Sequence, residues 1–275
     1  MIKVILTTNF SESARNAMCY AVQLFGTENT EYTIMNTLID APMGNDGFLS
    51  VEKLTDDENA KNMKAEENFL RKVFPGKNLN IKKRSVYGQL VAAINELTRE
   101  IGAHYVVIGN KEKYDFDAGM LRAKTYELID RIKCPVLAIP SNREFQVDEG
   151  GLIFASDLHT INKPDHLEPI IRLAQLHKVP IMAINIKKPA KVLTPSEEEA
   201  GTQLKQIFSE VEHEFHQLEH ADVLTGIKKF VDDNGASLLV LLARKQNFIQ
   251  RMTSQSLTKE MSKLANLPLL ILHDY

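Results

Sequence analysis

Cysteine is nearly absent: the chain of 275 residues carries only Cys19 and Cys134. Each lies in an apolar setting, Ala17-Met-Cys19-Tyr-Ala21 and Lys133-Cys134-Pro-Val136. A free thiol there behaves as a small buried hydrophobe, so a redox or metal role is not expected. An excess of charge of one sign is lacking too. With 33 Lys and Arg against 36 Asp and Glu, the formal net charge is -3, and no long basic run provides a footprint for nonspecific nucleic-acid binding. Long apolar runs are missing as well: none approaches the roughly 18–20 residues of a membrane span, and Met1-Ile-Lys-Val-Ile5 has no signal-peptide pattern. The expectation is a cytoplasmic protein that engages neither nucleic acid nor membrane.

What the chain does have is enough apolar residue, 44%, to bury a full core, and at about 100–200 residues per domain its length suggests one or two domains. An internal repeat decides for two. Leu90–Ile139 aligns without a gap on Val223–Leu272, placing Ile94 on Ile227, Gly102-Ala103 on Gly235-Ala236, Val107 on Val240, Pro135 on Pro268 and Leu137 on Leu270. The starts match as well, Ile5-Leu-Thr-Thr-Asn9-Phe-Ser11 on Ile153-Phe-Ala-Ser-Asp157-Leu-His159. A period of this size signals tandem domains rather than a solenoid. The expected domains are 1–141 and 150–275, and the short polar linker 142–149 holds them close.

Each half alternates short apolar runs with longer amphipathic stretches, the pattern of a parallel sheet covered by helices. Strands are expected over Ile2–Thr7, Tyr32–Asn36, Leu79–Arg84, Tyr105–Gly109 and Val136–Ile139, and near Gly151–Ala155, Pro180–Asn185, Phe215–Leu218, Leu238–Leu242 and Leu269–Leu272. Helices are expected over Ser11–Phe25, Asp56–Phe74, Gln89–Ile101, Lys124–Ile132, Asp165–Leu176, Pro195–Glu214, Leu224–Asn234 and Ser256–Ala265. Thr55-Asp-Asp-Glu58 and Thr194-Pro-Ser-Glu197 read as capping boxes opening the second helix of each half. Ala41–Gly47 is turn-rich and reads as an exposed loop.

In open parallel sheets, ligands bind beyond the C-terminal strand ends where the strand order reverses. The residues expected there are Asn9 and Asp157 after the first strand of each half, then Gly109-Asn-Lys-Glu112 and Leu242-Ala-Arg244-Lys245 after the fourth. A duplicated unit that opens Lys3-Val-Ile-Leu-Thr-Thr-Asn9-Phe-Ser11 and closes Gly109-Asn-Lys…Lys133-Cys-Pro-Val-Leu-Ala-Ile-Pro140 resembles the universal stress protein family in its tandem-domain form. The resemblance implies two Rossmann-like α/β domains of the adenine nucleotide alpha hydrolase-like type, each a five-stranded parallel sheet flanked by helices. It also implies pairing through the last strands. Those strands, Val136–Pro140 and Leu269–Leu272, are uniformly apolar, and an unpaired apolar strand at a sheet edge invites aggregation. An intramolecular pseudo-dimer is therefore expected, as a monomer or as a homodimer through other surfaces.

Nucleotide-binding members of that family carry Gly-x-x-Gly, nine residues, then Gly-Ser/Thr, so that backbone N–H groups and a helix start approach phosphates closely. The corresponding positions here are Gly109, Glu112, Arg122 and Ala123 in the first half and Leu242, Lys245, Gln255 and Ser256 in the second. A carboxylate in a phosphate seat repels polyphosphate, and a side chain at a lost glycine blocks close approach. The Asp that contacts the base in such members corresponds to Asn9 and Asp157. The set closest to a ligand site is Asp157, Arg244, Lys245 and Ser256, with Asn9 and Gly109 as degenerate counterparts. The expectation is a stress-responsive regulatory or interaction protein, not an enzyme, needing no cofactor and acting on a protein partner. The alternative is an ATP or AMP binder acting as a nucleotide-gated switch through its second half.

Three other features have plainer readings. His213, Glu214, His216 and His220 lack the His-Glu-x-x-His spacing of a zinc helix, and a strand across Phe215–Leu218 would separate them. Ser156, Asp157 and His159 are triad residue types, but neighbours at a strand end point apart and build no relay. Ser196–Glu199 reads as a first turn complementing its helix dipole.

Overall fold

A computed structural model describes residues 1–38, 56–110, 131–145, 151–243 and 267–274. In chain order these form β1 (Ile2–Thr7), α1 (Glu12–Phe25), β2 (Thr30–Leu38), α2 (Asp56–Val73), β3 (Asn80–Tyr87), α3 (Leu90–Ile101), β4 (Tyr105–Asn110) and β5 (Val136–Pro140). The second half continues with β6 (Leu152–Ala155), a 3-10 turn (Pro164–Leu167), α4 (Glu168–His177), β7 (Ile181–Lys187), α5 (Pro195–Ile207), β8 (His213–Glu219), α6 (Val223–Asn234), β9 (Leu238–Ala243) and β10 (Leu269–His273). The expected helices Lys124–Ile132 and Ser256–Ala265, Thr55 of the first capping box, and the Ala41–Gly47 loop fall wholly or mostly outside the described residues.

All ten strands form one sheet in the order β3-β2-β1-β4-β5-β10-β9-β6-β7-β8. Strands are parallel within each half, and the halves meet through an antiparallel β5/β10 pair in which Leu270 faces Leu137, Leu269 faces Ala138 and Ile271 faces Val136. The two apolar last strands therefore sit at the centre of the sheet, where each has a partner on both sides. Strand alternation divides the core between two faces. Leu137, Ile139, Leu270 and Leu272 join one cluster with α1, α2, α4 and α5. Val136, Ala138, Leu269 and Ile271 join the other with α3 and α6.

Both faces thus run without interruption across the meeting of the halves. On the first face α1 and α4 are neighbours, and polar bonds cross the seam: Tyr20 Oη donates to Ser237 O at 2.9 Å, Tyr105 Oη to Pro169 O at 3.0 Å, and the His177 ring lies 2.7 Å from Leu24 O. Phe145, beyond β5, sits edge-on to Tyr20 and beside His177. Burial raises the Cys19 thiol to about 11 and the Cys134 thiol to about 12, the inert behaviour of core cysteines.

Two helices differ from the sequence expectation. The stretch expected as helix up to Glu214 is helical only to Ile207, because Phe208 turns fully inward against Phe154 and the chain pairs with β7 from His213. The helix expected from Asp165 begins at Glu168 after a 3-10 turn, since Pro169 is tolerated only in a first helical turn. Helix α5 opens with the full capping box: Glu197 N donates to Thr194 Oγ1 at 3.3 Å, and Thr194 N to Glu197 Oε2 at 2.8 Å. The Lys191 ammonium and the Thr194 donors hold the Glu197 carboxyl at about 2, below its ordinary 4.5. A depressed carboxylate contributes stability that is present above pH 4.5 and lost as pH falls toward 2. The site is solvent-screened, so the effect is small. Glu197→Gln is expected to flatten this part of the acid limb of a Tm-against-pH profile, and an unchanged limb would contradict the assignment.

Candidate functional site

The strand order reverses between β1 and β4 in the first half and between β6 and β9 in the second. Because β5 and β10 run antiparallel, the two crevices open at opposite edges of the sheet. Each is bordered by the turn that follows the half's first strand, and the two turns repeat one another bond for bond.

After β1, Thr8 N donates to Met35 O at 2.8 Å, Phe10 N to Thr8 Oγ1 at 2.9 Å and Ser11 N to Asn9 Oδ1 at 3.3 Å. After β6, Ser156 N donates to Ile184 O at 2.8 Å, Leu158 N to Ser156 Oγ at 3.1 Å and His159 N to Asp157 Oδ1 at 3.2 Å. Phe10 and Leu158 both adopt positive φ, 63° and 52°. A non-glycine residue there is uncommon, and the side-chain bonds from Thr8 and Ser156 hold the bend. Asn9 and Asp157 each accept from the N–H two residues on, the Asx-turn arrangement.

Behind each turn lies a residue that the sequence reading did not single out. Asn36 Nδ2 donates to Thr8 O at 2.8 Å, and Asn185 Nδ2 to Ser156 O at 2.9 Å. Both side chains are buried at the end of the second strand of their half. The signal was an apolar strand interrupted by Asn at matching places, Ile34-Met35-Asn36 and Ala183-Ile184-Asn185.

The halves part company after the turn. In the first, α1 starts at once, with Ser11 as N-cap bonded to Ala14 N and to the Asn9 and Ser13 side chains. Its first turn presses on β4 so closely that a Cβ at Gly109 would lie 2.4 Å from Ser13 O and 2.9 Å from Ala14 N. Gly109 is thus required by helix packing. In the second half the chain runs on through Leu158 and Ile161, both buried, before α4 begins. Gln203 of α5 clasps Ile161 from both sides, accepting from its N at 3.0 Å and donating to its O at 2.9 Å. With the helix start moved away, the position matching Gly109 is filled by Leu242, buried in the same cluster as Leu158 and Ile161.

A polar pair stands at the ends of β9 and β10. Asp274, beyond β10, is buried and faces the His166 ring at 3.2 Å, while Asp274 N bonds Ala243 O. Asp157 is more open, and one of its carboxylate oxygens lies 3.3 Å from the His159 ring. The structure brings Asp157 to the crevice edge after β6 and Asn9 to that after β1, and it places Gly109 in β4. Arg244, Lys245, Gln255 and Ser256 lie outside the described residues, as do Glu112, Arg122 and Ala123. Among the described residues there is no group of three or more metal-ligating side chains. His213 and His216 sit on opposite faces of β8, with His213 beside Phe208 and His216 against Phe230. Nor is any helix among the described residues long and apolar enough to cross a membrane.

A universal stress protein from Archaeoglobus fulgidus DSM 4304 superimposes with a TM-score of 0.67 at 12% identity, covering 99% of this chain and 96% of that one. A functionally unknown protein from Pseudomonas aeruginosa PAO1 gives a TM-score of 0.62 at 13% identity, covering 99% and 92%. At such identities the likeness is one of fold. Comparison with curated proteins gives no match. At the level of sequence, residues 1–140 match the universal stress protein family, over the half that contains the Asn9 turn and Gly109, and the chain belongs to that family.

Proposed function

We propose that the protein is a non-catalytic regulatory or interaction protein of its family, built of domains 1–141 and 150–275, that does not depend on ATP. The observation that carries this reading is what stands at the two first-glycine positions at the ends of the fourth strands. A side chain at Gly109 would meet the backbone of Ser13 and Ala14, so packing alone accounts for this glycine, and its counterpart Leu242 is buried in the core. Asn9 and Asp157 are turned to amides of their own turns, which lowers their availability to a base. Glu112 in place of glycine adds repulsion to any polyphosphate. On this reading the function is carried by surface contacts with a protein partner.

A second reading is favoured by one observation: the Asp157 side chain is partly exposed at the edge of the second crevice. Asp157 would then meet an amino or hydroxyl group while Arg244, Lys245 and the helix start at Ser256 meet an anion, as in binding of AMP or ATP.

A thermal shift separates the two. With millimolar ATP and magnesium the Tm of the ATP-independent protein stays within about 1 °C of the apo value. A ligand at about 100 times its Kd adds roughly 2.7 kcal/mol, or on the order of 5–10 °C at this chain length. A rise of that size, abolished by Asp157→Ala, would establish the second reading.

A further inference from the structure

Asn36 and Asn59 are both more than nine-tenths buried, and the Oδ1 of each has no hydrogen-bond partner in the protein. They share one neighbour, Ser85 of β3. Asn36 lies opposite Ser85 in the β2/β3 register, and Asn59, on the inward stripe of α2 with Met63, Glu66 and Leu70, donates its Nδ2 to Ser85 Oγ at 2.6 Å. Buried polar atoms are almost always satisfied, so two orphans on residues that both neighbour one serine point to a common partner.

The chemistry of that partner is restricted. Asn36 cannot be turned round, because its Nδ2 donates to Thr8 O, a group that only accepts. Its free atom is therefore an acceptor. Ser85 Oγ can give or take a proton, so the free atom of Asn59 is an acceptor in one amide orientation and a donor in the other. A cation would face neutral oxygens alone, since the one carboxylate on the buried stripe of α2, Glu66, is already bound by Arg15 Nε at 3.0 Å. A desolvated charge without a counterion is costly. A species that both donates and accepts fits either amide orientation, and Ser85, exposed on the edge strand, gives it a way in.

We propose that Asn36, Asn59 and Ser85 form a binding site for one internal water. Three polar partners are the number a buried water typically has. The water ties the start of α2 to the turn that borders the first crevice, through Asn36 and Thr8. The second half has no such pair: Asn185 Oδ1 is likewise without a partner, but α5 turns Ala200, Gly201 and Leu204 inward where α2 turns Asn59.

The test combines a crystal structure of the full chain with a double-mutant cycle. The expected density is a single peak about 2.7–3.2 Å from Asn36 Oδ1, from the Asn59 amide and from Ser85 Oγ. Asn36→Leu and Asn59→Leu should each lower Tm by about 3 °C or more, and the double variant by clearly less than their sum, because the second substitution finds the water already gone. No density where other internal waters are visible would overturn the proposal, as would a peak refining as a metal ion at short contacts. Additive losses would overturn it too. Should a variant fail to fold, the density alone decides.

Discussion

Lysine placed at both Leu137 and Leu270 is expected to abolish the folded protein. The two side chains face one another across the β5/β10 pair, and each is 0% exposed. Neither ammonium could reach water without parting the central strands. Burying an unpaired charge costs several kcal/mol even after relaxation, against a total stability of about 5–15 kcal/mol for a folded protein. Two of them exceed what the fold can absorb, and the parted strands would expose apolar edges that pair with other chains. Sedimentation velocity and circular dichroism should show aggregated or unfolded material, while Leu137→Met with Leu270→Met, which conserves volume, should cost only about 1–3 kcal/mol. A monodisperse double-lysine variant that unfolds cooperatively would mean that the halves do not meet through these strands.

Gly109→Ala carries the second large effect. The new methyl would stand 2.4 Å from Ser13 O, a backbone atom in the first turn of α1 that no side-chain rotation can clear. Either α1 shifts or β4 leaves its register with β1 and β5. Overpacking of this kind costs about 1–3 kcal/mol and sometimes more, a Tm loss of roughly 3–10 °C at this chain length. Gly102→Ala is the control. Gly102 has φ 63° with open space around it, so its cost is conformational alone, on the order of 1 kcal/mol. A Gly109→Ala protein as stable as wild type would show that the glycine is not there for packing, and would reopen the case that it faces a ligand.

Much of this architecture was legible because it is written in local pattern and in duplication. The mostly apolar run Ile2–Thr7 and the amphipathic stretch Ser11–Phe25 marked β1 and α1 nearly to the residue. The repeat told that Leu137 and Leu270 are equivalent, and their apolar strands told that both must be covered. The end of α5 was not legible, since Ser209–Glu214 carries neither Gly nor Pro, and it is the burial of Phe208 that ends the helix. Asn36 and Asn185 were missed for a related reason. Their partners are backbone carbonyls in the turn that follows a neighbouring strand, and a backbone carbonyl leaves no trace in a sequence. At the crevice, the residue types at Asn9, Gly109, Asp157 and Leu242 could be read, but their roles could not. That Gly109 answers to α1 and that Leu242 fills a space opened by a later helix start are facts of packing between distant segments.

Isothermal titration of ATP with magnesium tests ATP independence most directly, on the wild-type chain and on a variant carrying Glu112→Gly, Arg122→Gly and Ala123→Ser together. The wild type should give no binding heat at submillimolar nucleotide, and the variant should gain it wherever Asn9 and the rest of the first crevice still suffice. Saturable binding by the wild type in the micromolar range would contradict the account.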